Sequence, residues 1–482
     1  MKQTSDSRET QSGDKVRPLQ KWGWAVGGLA DNFIGTGVIY LGMLIFNLGL
    51  GLSAALVGYV LAAPRIIDAI VDPLIGNLSD NTRTRWGRRR PFILVGGLIA
   101  AVFYVLTWSP PTGLEAHAAQ WWQNGLFWYF LSMTMLCFVG YAIFVIPHNA
   151  LGLEMTTDYH ERTQVQSAKY LFLIIAQLLS SWLYKASLTF GKWAGVPAGE
   201  KAEVVGVRYV ALIVATVIII SSALPAFLCR ERDHVQSHEK VKIFSAIRLT
   251  LSHKPFILLC VMFLAVVIGL NLITPVGTYV SIFHACGGDK ELGSEIQAWG
   301  GTLFGVLGFL AAWPVSWVAR RWGKRKAIMA GLGVALLGAL STWPCYTPSH
   351  PWLQLVSWSI MCTGLSCLWI LTPSMLADVI DYDELKCGFK RAGVFGAVFA
   401  LISKGGVALA AVVSGLMLGW VGFDQEVTVQ APQTILWMRL TFALVPASLM
   451  GLGILMAYFF PITEEKVHEV RALIEARTNK AG

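Results

Sequence analysis

"FILLCVMFLAVVIGLNLITPV", residues 256–276, is the stretch whose reading decides the fold. It runs its whole length without a charge, and its apolar residues do not alternate with polar ones. A helix needs about 20 apolar residues to cross ~30 Å of hydrocarbon, whereas a barrel strand needs only ~10 in alternation. The segment therefore reads as a membrane-spanning helix. Similar runs recur between residues 22 and 460, separated by short polar loops, and number about twelve by the same length criterion. Of the 482 residues, 55% are hydrophobic and only 14% charged. The mean hydropathy of +0.57 lies above the range of soluble domains. The expected fold is an all-α membrane protein with twelve transmembrane helices.

The first 20 residues are polar and lack a short apolar core followed by a small-residue cleavage site, so no cleaved signal peptide is expected. The eight cysteines lie singly with no CxxC pair, which argues against a metal site or a disulfide framework; a pairing of Cys286 with Cys345 stays open. A net charge of +9 invites a nucleic-acid reading, but the basic residues sit in short loops between spans, where orientation signals belong. Nucleic acid is therefore not an expected partner. The lipid bilayer is.

Lysine and arginine concentrate in alternate loops, around residues 2–21, 83–90, 230–254 and 320–326, while the opposite side has mainly Lys185, Lys192, Lys201, Arg208 and Lys290. This asymmetry places both termini and the central loop in the cytoplasm of a cell whose inner (plasma) membrane holds the chain. The loop "RTRWGRRRPFILVGG" near residue 83 has an echo in "ARRWGKRKAIMAGLG" near residue 319. Two related six-helix halves follow from that echo, with a binding site expected between them near the bilayer midplane. The expected divisions are a tail at 1–20, a first bundle at 21–229, a central loop at 230–254, a second bundle at 255–460 and a tail at 461–482. A monomer is expected.

Charges inside apolar runs carry the functional reading. Arg65, Asp68 and Asp72 advance by three and four residues, so they share one helical face. An intramembrane charge costs at least ~2.5–3.5 kcal/mol, so that face must turn to an interior or a water-filled chamber. Two carboxylates with one arginine leave a negative charge that a coupling cation or a proton can neutralise. A static Arg65–Asp68 bridge is the bland alternative. Asp31 sits among small residues in "GGLADNFIGTGVIY", and Lys404 interrupts "VFGAVFALISKGGVALAAVVSGL"; the alternatives are a packing aspartate and a lysine reaching for a head group. Three clusters mark the ends where basic loops lie: Asp80 with Arg83 to Arg90, including Arg88; Glu154 with Asp158 and Arg162; and Asp378 with Asp381, Lys386 and Arg391. They read as ion pairs of a cytoplasmic gate or as solvated surface.

Three strings, "RIIDAIVDPLIGNLSDNTRTRWGRRRPFILVGG" at 65–97, "PHNALGLEMTTDYHERTQ" at 147–164 and "ADVIDYDELKCGFKRAGVFGAVFALISKGG" at 377–406, carry a resemblance over most of the chain. They resemble the glycoside-pentoside-hexuronide:cation symporters of the major facilitator superfamily, the melibiose permease-like branch, and RWGRRRP is also similar to sucrose carriers. The resemblance implies two pseudo-symmetric six-helix bundles of the major facilitator fold and cation-coupled import of a sugar or glycoside by alternating access. It implies that Asp68 and Asp72 hold the cation, that Lys404, at the position of the family's helix-eleven lysine, balances their charge, and that Asp31 accepts hydrogen bonds from sugar hydroxyls; Arg65, on the same face as the carboxylates, joins the expected coupling set. Trp369 matches an aromatic that packs on the sugar ring, and Tyr40 is a second aromatic candidate.

Departures limit the carry-over. Val71 and Ala142 stand where the family has oxygen ligands, which favours a proton over sodium, since a proton needs only one carboxylate. Val145, Asn149 and Tyr170 replace an aspartate, a tryptophan and an arginine of the sugar site, so galactoside specificity is not implied; Asn149 and Tyr170 become substrate-site candidates, and His148 can supply another hydrogen bond. No metal and no organic cofactor are expected. A major facilitator exporter of another solute and sodium-coupled symport remain as alternatives. A membrane-embedded enzyme would need an HExxH or a DxD pair in a long loop, and neither is found.

Overall fold

The computed structural model describes residues 16–114, 116, 120–156, 158–196, 200–231, 253–387, 391–424, 427 and 429–481. Most of the expected tail at 1–20 and central loop at 230–254 lies outside them. The chain divides into two compact units, Met1–Gln236 and Ser237–Gly482. Among the described residues every regular element is helical.

In the first unit the helices are α1 (Pro18–Ala25), α2 (Gly27–Gly42, extended by a π-helical turn Met43–Gly49), α3 (Ala54–Asn81), α4 (Arg90–Thr107), α5 (Gly125–Glu154), α6 (Tyr159–Ser181), α7 (Leu183–Ala194) and α8 (Ala202–Leu228). In the second they are α9 (Lys254–Val280, extended by a π-helical turn Ser281–Ala285), α10 (Lys290–Leu310), α11 (Ala312–Cys345), α12 (Gln354–Cys387), α13 (Ala392–Trp420), α14 (Pro432–Phe459) and α15 (Glu464–Ala481). Among the described residues nine stretches are each long and apolar enough to cross a membrane, and two bent pairs raise the number to 11. Gly323 breaks α11 at φ 78° and ψ 155°. Its first part then continues α10 and its second part is a span of its own, which brings the crossings to twelve, six per unit.

Local chemistry explains the breaks. Pro73 has no N–H to give to the carbonyl four residues back, and α3 bends by 40° between Asp68 and Ile70. α6 and α7 meet at 48° and together make one bent span. In each unit a glycine-lined pair of helices packs backbone to backbone. A Cβ on Gly140 of α5 would lie 2.6 Å from the Ala100 nitrogen of α4, and one on Gly338 of α11 would lie 2.6 Å from the Met361 nitrogen of α12. Small residues at such contacts are what helices in lipid use to approach each other.

Lipid-facing and interior sides separate cleanly on α3. Ile66, Ile70, Leu74 and Leu78, spaced by four, are all exposed, while Asp68 on the opposite side is 3% exposed. In water an apolar stripe of this length would be a liability; in hydrocarbon it carries no penalty. Many tryptophans, among them Trp121, Trp122, Trp313 and Trp317, are exposed as interfacial anchors would be.

Candidate functional site

The first unit gathers a polar interior around the junction of α1 and α2 in its first span. "GG" at 27–28 opens α2 immediately after Val26. A Cβ on Gly27 would collide with the His148 ring of α5, and one on Gly28 would lie 2.9 Å from the Lys169 carbonyl of α6. The missing side chains therefore let α5 and α6 close on α2 at one point. Trp24 and His148 clasp each other there. The indole Nε1–H donates to the His148 carbonyl at 2.8 Å, and His148 Nε2 donates to the Trp24 carbonyl at 2.9 Å. The imidazole is stacked between the Trp24 and Phe144 rings, at centroid distances of 5.1 and 5.2 Å.

One turn beyond the glycines, Asp31 pairs with Lys169 at 2.7 Å and accepts from the Tyr141 hydroxyl at 2.7 Å. Lys169 also donates to Asn149 Oδ1 at 2.5 Å and lies over the Trp24 ring. Only 7% of this lysine is exposed. A charge so deep in a membrane protein is tolerated because the carboxylate and the amide oxygen replace its water. A second string of amides and hydroxyls follows along α2: Asn32 donates to Gln177, Gln177 donates to Tyr40, and Ser180 donates to Asn32.

The predicted cation cluster lies on the neighbouring helix. Arg65 contacts Asp68 at 3.4 Å, donates to the Gly35 carbonyl of α2 at 3.2 Å and stands over the Phe138 ring. Asp72 is half-buried one turn on. Tyr141, Asp31's partner, reaches over Gly35, the same residue whose carbonyl Arg65 holds. Asp31, Asn149 and Tyr40 thus share one polar interior with Arg65 and Asp68 nearby. Ala142 is buried and, like Val71, offers no side-chain oxygen.

Sequence reasoning missed Lys169, Tyr141, Asn32 and Gln177. It placed the α6 position of interest at Tyr170, which is 61% exposed, whereas the cation that meets Asp31 is the adjacent Lys169. The available signal was the spacing of Lys169, Gln177 and Ser180, which puts all three on one side of a helix.

In the second unit Lys404 is half-buried on α13. Gly406 beside it packs against Leu264 and Ile268 of α9, but Gly405 faces open space, so the close packing expected of both holds at one. Trp369 is 50% exposed and touches Phe263 edge-on at 5.8 Å. Cys286 and Cys345 are both free thiols.

The end clusters form ion pairs, with partners partly different from those expected. Asp80 pairs with Arg89 at 2.7 Å. Glu154 takes Arg88 and Arg89, each at 2.6 Å. Asp158 instead caps α6 by accepting from the Glu161 N–H, and Arg162 donates to the Thr156 carbonyl, because both sit in the turn that starts that helix. Asp378 pairs with Lys324 at 2.5 Å, and Arg391 makes two bonds to Asp383. Lys386 lies over the Tyr382 ring, and Asp381 is half-buried between these groups in sequence. His253, before α9, packs against Tyr382 and Phe395, and burial holds its imidazole pKa below the usual 6.5. No group of three or more metal-ligating side chains occurs among the described residues.

Twelve crossings in two units, with ionisable groups held in a polar interior, define a multi-pass membrane transporter of the major facilitator fold. The chain belongs to the MFS/sugar transport protein family, which it matches over residues 23–464. It is 26% identical over 503 residues to an uncharacterized symporter of Synechocystis, covering 89% of this chain and 91% of that one. It is 25% identical over 476 residues to a glucuronide carrier protein homolog of Escherichia coli, covering 94% and 95%. A solved bacterial homolog of the human lysosomal transporter Spinster shares the fold at a TM-score of 0.66 with 16% identity, covering 95% of this chain and 98% of that one. These relatives are transporters, and so is this chain.

Proposed function

We propose that this chain imports a sugar or glycoside by symport with a cation, by preference a proton, through alternating access. The observation that carries the reading is Asp31 held between Lys169 and Tyr141, with Arg65 and Asp68 on the next helix. A carboxylate beside an ammonium offers a sugar hydroxyl a charged acceptor and a charged donor at once, the strongest pairing available to a neutral polyol. Asn149, Gln177 and Tyr40 extend that polar wall, and Trp369 supplies an exposed indole for an apolar sugar face. The proton resides on Asp68 or Asp72, with Arg65 and Lys404 as counter-charges. Proton rather than sodium coupling is supported by Val71 and Ala142, which supply no oxygen to complete a sodium shell. The family membership and the carrier among the relatives support a sugar as the solute.

The expected setting follows from the loop charges: a monomer in the inner (plasma) membrane, with both termini and the 230–254 loop cytoplasmic and bundles at 21–229 and 255–460. The pairs of Arg88, Asp80, Glu154 and Asp378 then serve the cytoplasmic gate.

Purified protein in liposomes provides the test. Under an imposed proton gradient it accumulates a labelled glycoside from a panel of mono- and disaccharides, and a sodium gradient alone does not drive it. Asp72→Asn abolishes uphill accumulation while sparing exchange at equilibrium. Full accumulation by Asp72→Asn would remove the carboxylate from coupling, and accumulation driven by sodium alone would replace the proton.

A further inference from the structure

Both units carry the same device beside their Trp-Gly-basic loops, and they differ by one carboxylate. Aligning "RWGRRR" with "RWGKRK" sets Arg88, Arg89 and Asp80 opposite Lys324, Arg325 and Ser316. Arg88 meets Glu154 of α5, and Lys324 meets Asp378 of α12 in the corresponding place. Gly87, at φ 111°, leaves room for Glu231 just beyond α8; Gly323, at φ 78°, leaves room for Glu464 beyond α14. Arg89 has Asp80 at 2.7 Å. Arg325 has a serine in that position.

Arg325 donates one Nη to the Tyr458 carbonyl and lies over the Tyr458 ring, and among the described residues it meets no carboxylate. Beside it opens a cavity of about 430 Å³. Ser316, Arg320, Arg325 and His468 line its polar side, and Leu371 and Phe460 form part of an apolar wall. Arg320 and His468 make no hydrogen bond or ion pair among the described residues. The acids that also line it do not cancel these charges: Asp378 is taken by Lys324, and Glu464 is one carboxylate against two guanidinium groups.

We propose that this cavity binds an anionic phosphate group carried on an organic molecule. The first unit supplies its own carboxylate to Arg89; the second takes the anion from outside. A tetrahedral phosphate accepts from several donors at once, and Arg320 and Arg325 on α11 and His468 on α15 all line the cavity, whereas a planar carboxylate matches one guanidinium fork. The volume and the apolar wall accommodate an organic moiety besides the phosphate. An acidic phospholipid head group and a soluble phosphate ester share this chemistry. The proposal stands apart from the sugar reading.

The unfolding temperature of the full-length protein in neutral detergent is measured with dioleoylphosphatidylglycerol in mixed micelles, with dioleoylphosphatidylcholine as the zwitterionic control, and separately with glycerol 3-phosphate. At least one anionic probe raises it saturably; a rise with the lipid alone identifies a head-group site, and a rise with glycerol 3-phosphate identifies a soluble ester. Arg320→Gln, which breaks no bond seen in the structure, weakens the effect about tenfold, the worth of one charge-assisted hydrogen bond. Ser316→Asp, which gives Arg325 the carboxylate that Arg89 has, raises the ligand-free unfolding temperature and abolishes the response. No rise with either probe, or a rise that survives in both variants, would overturn the proposal.

Discussion

Lys169 is almost wholly buried, and its charge is met by Asp31 at 2.7 Å. Removing one member of such a pair strands the other in a medium that solvates it poorly. Lys169→Met is expected to cost about 3–5 kcal/mol, while the double change Asp31→Asn with Lys169→Met recovers much of it because no charge is left behind. Thermal unfolding of the two variants checks this, and equal stability of the single and double changes would contradict it. Sugar uptake is lost in both. Asp31, Asp68 and Arg65 were legible because a charge in an apolar run has few explanations. Lys169 was not, because "YHERTQVQSAKYLF" is polar enough to pass for surface and a slip of one residue rotates a helical side chain by ~100°.

The α1–α2 junction in the first span is held by its neighbours. Trp24 and His148 bind each other's carbonyls, and Gly27 lets the imidazole reach α2. Gly27→Ala pushes α5 away from α2 and is expected to cost about 1–3 kcal/mol as overpacking. It also raises the KM for sugar, because Asn149 follows His148 directly. Gly405→Ala on α13 meets nothing within 4 Å and stays within about 0.5 kcal/mol of wild type. Denaturation of both variants, with uptake kinetics for the first, checks the contrast. The spans were readable from hydropathy. The break at Gly323 and the close approach at Gly27 and Gly28 were not, since a glycine in a membrane helix serves packing as readily as a break.

At the scale of the molecule the two units repeat one plan, seen in their loop glycines, their glutamates after the sixth and twelfth spans, and their glycine-packed helix pairs. The repeat is unequal in strength. Glu231 accepts from the N–H groups of Arg88, Arg89 and Arg90 at 2.8–3.0 Å, where the free donors and dipole of the α4 start favour an anion. Glu464 faces Gly323 with no such bonds among the described residues. Glu231→Gln is therefore expected to cost about 1–3 kcal/mol, and Glu464→Gln much less. Unfolding temperatures of the two variants decide it, and equal losses would deny the asymmetry.

The sequence by itself determined the solvent, the span count, the duplication and which carboxylates must turn inward, because each follows from a transfer cost or a period along one chain. Tertiary structure alone decided the partners. Which cation meets Asp31, which acid meets Arg88 and whether Arg325 finds a carboxylate depend on side chains about 50 to 140 positions apart brought within ~3 Å, and no local pattern encodes that approach.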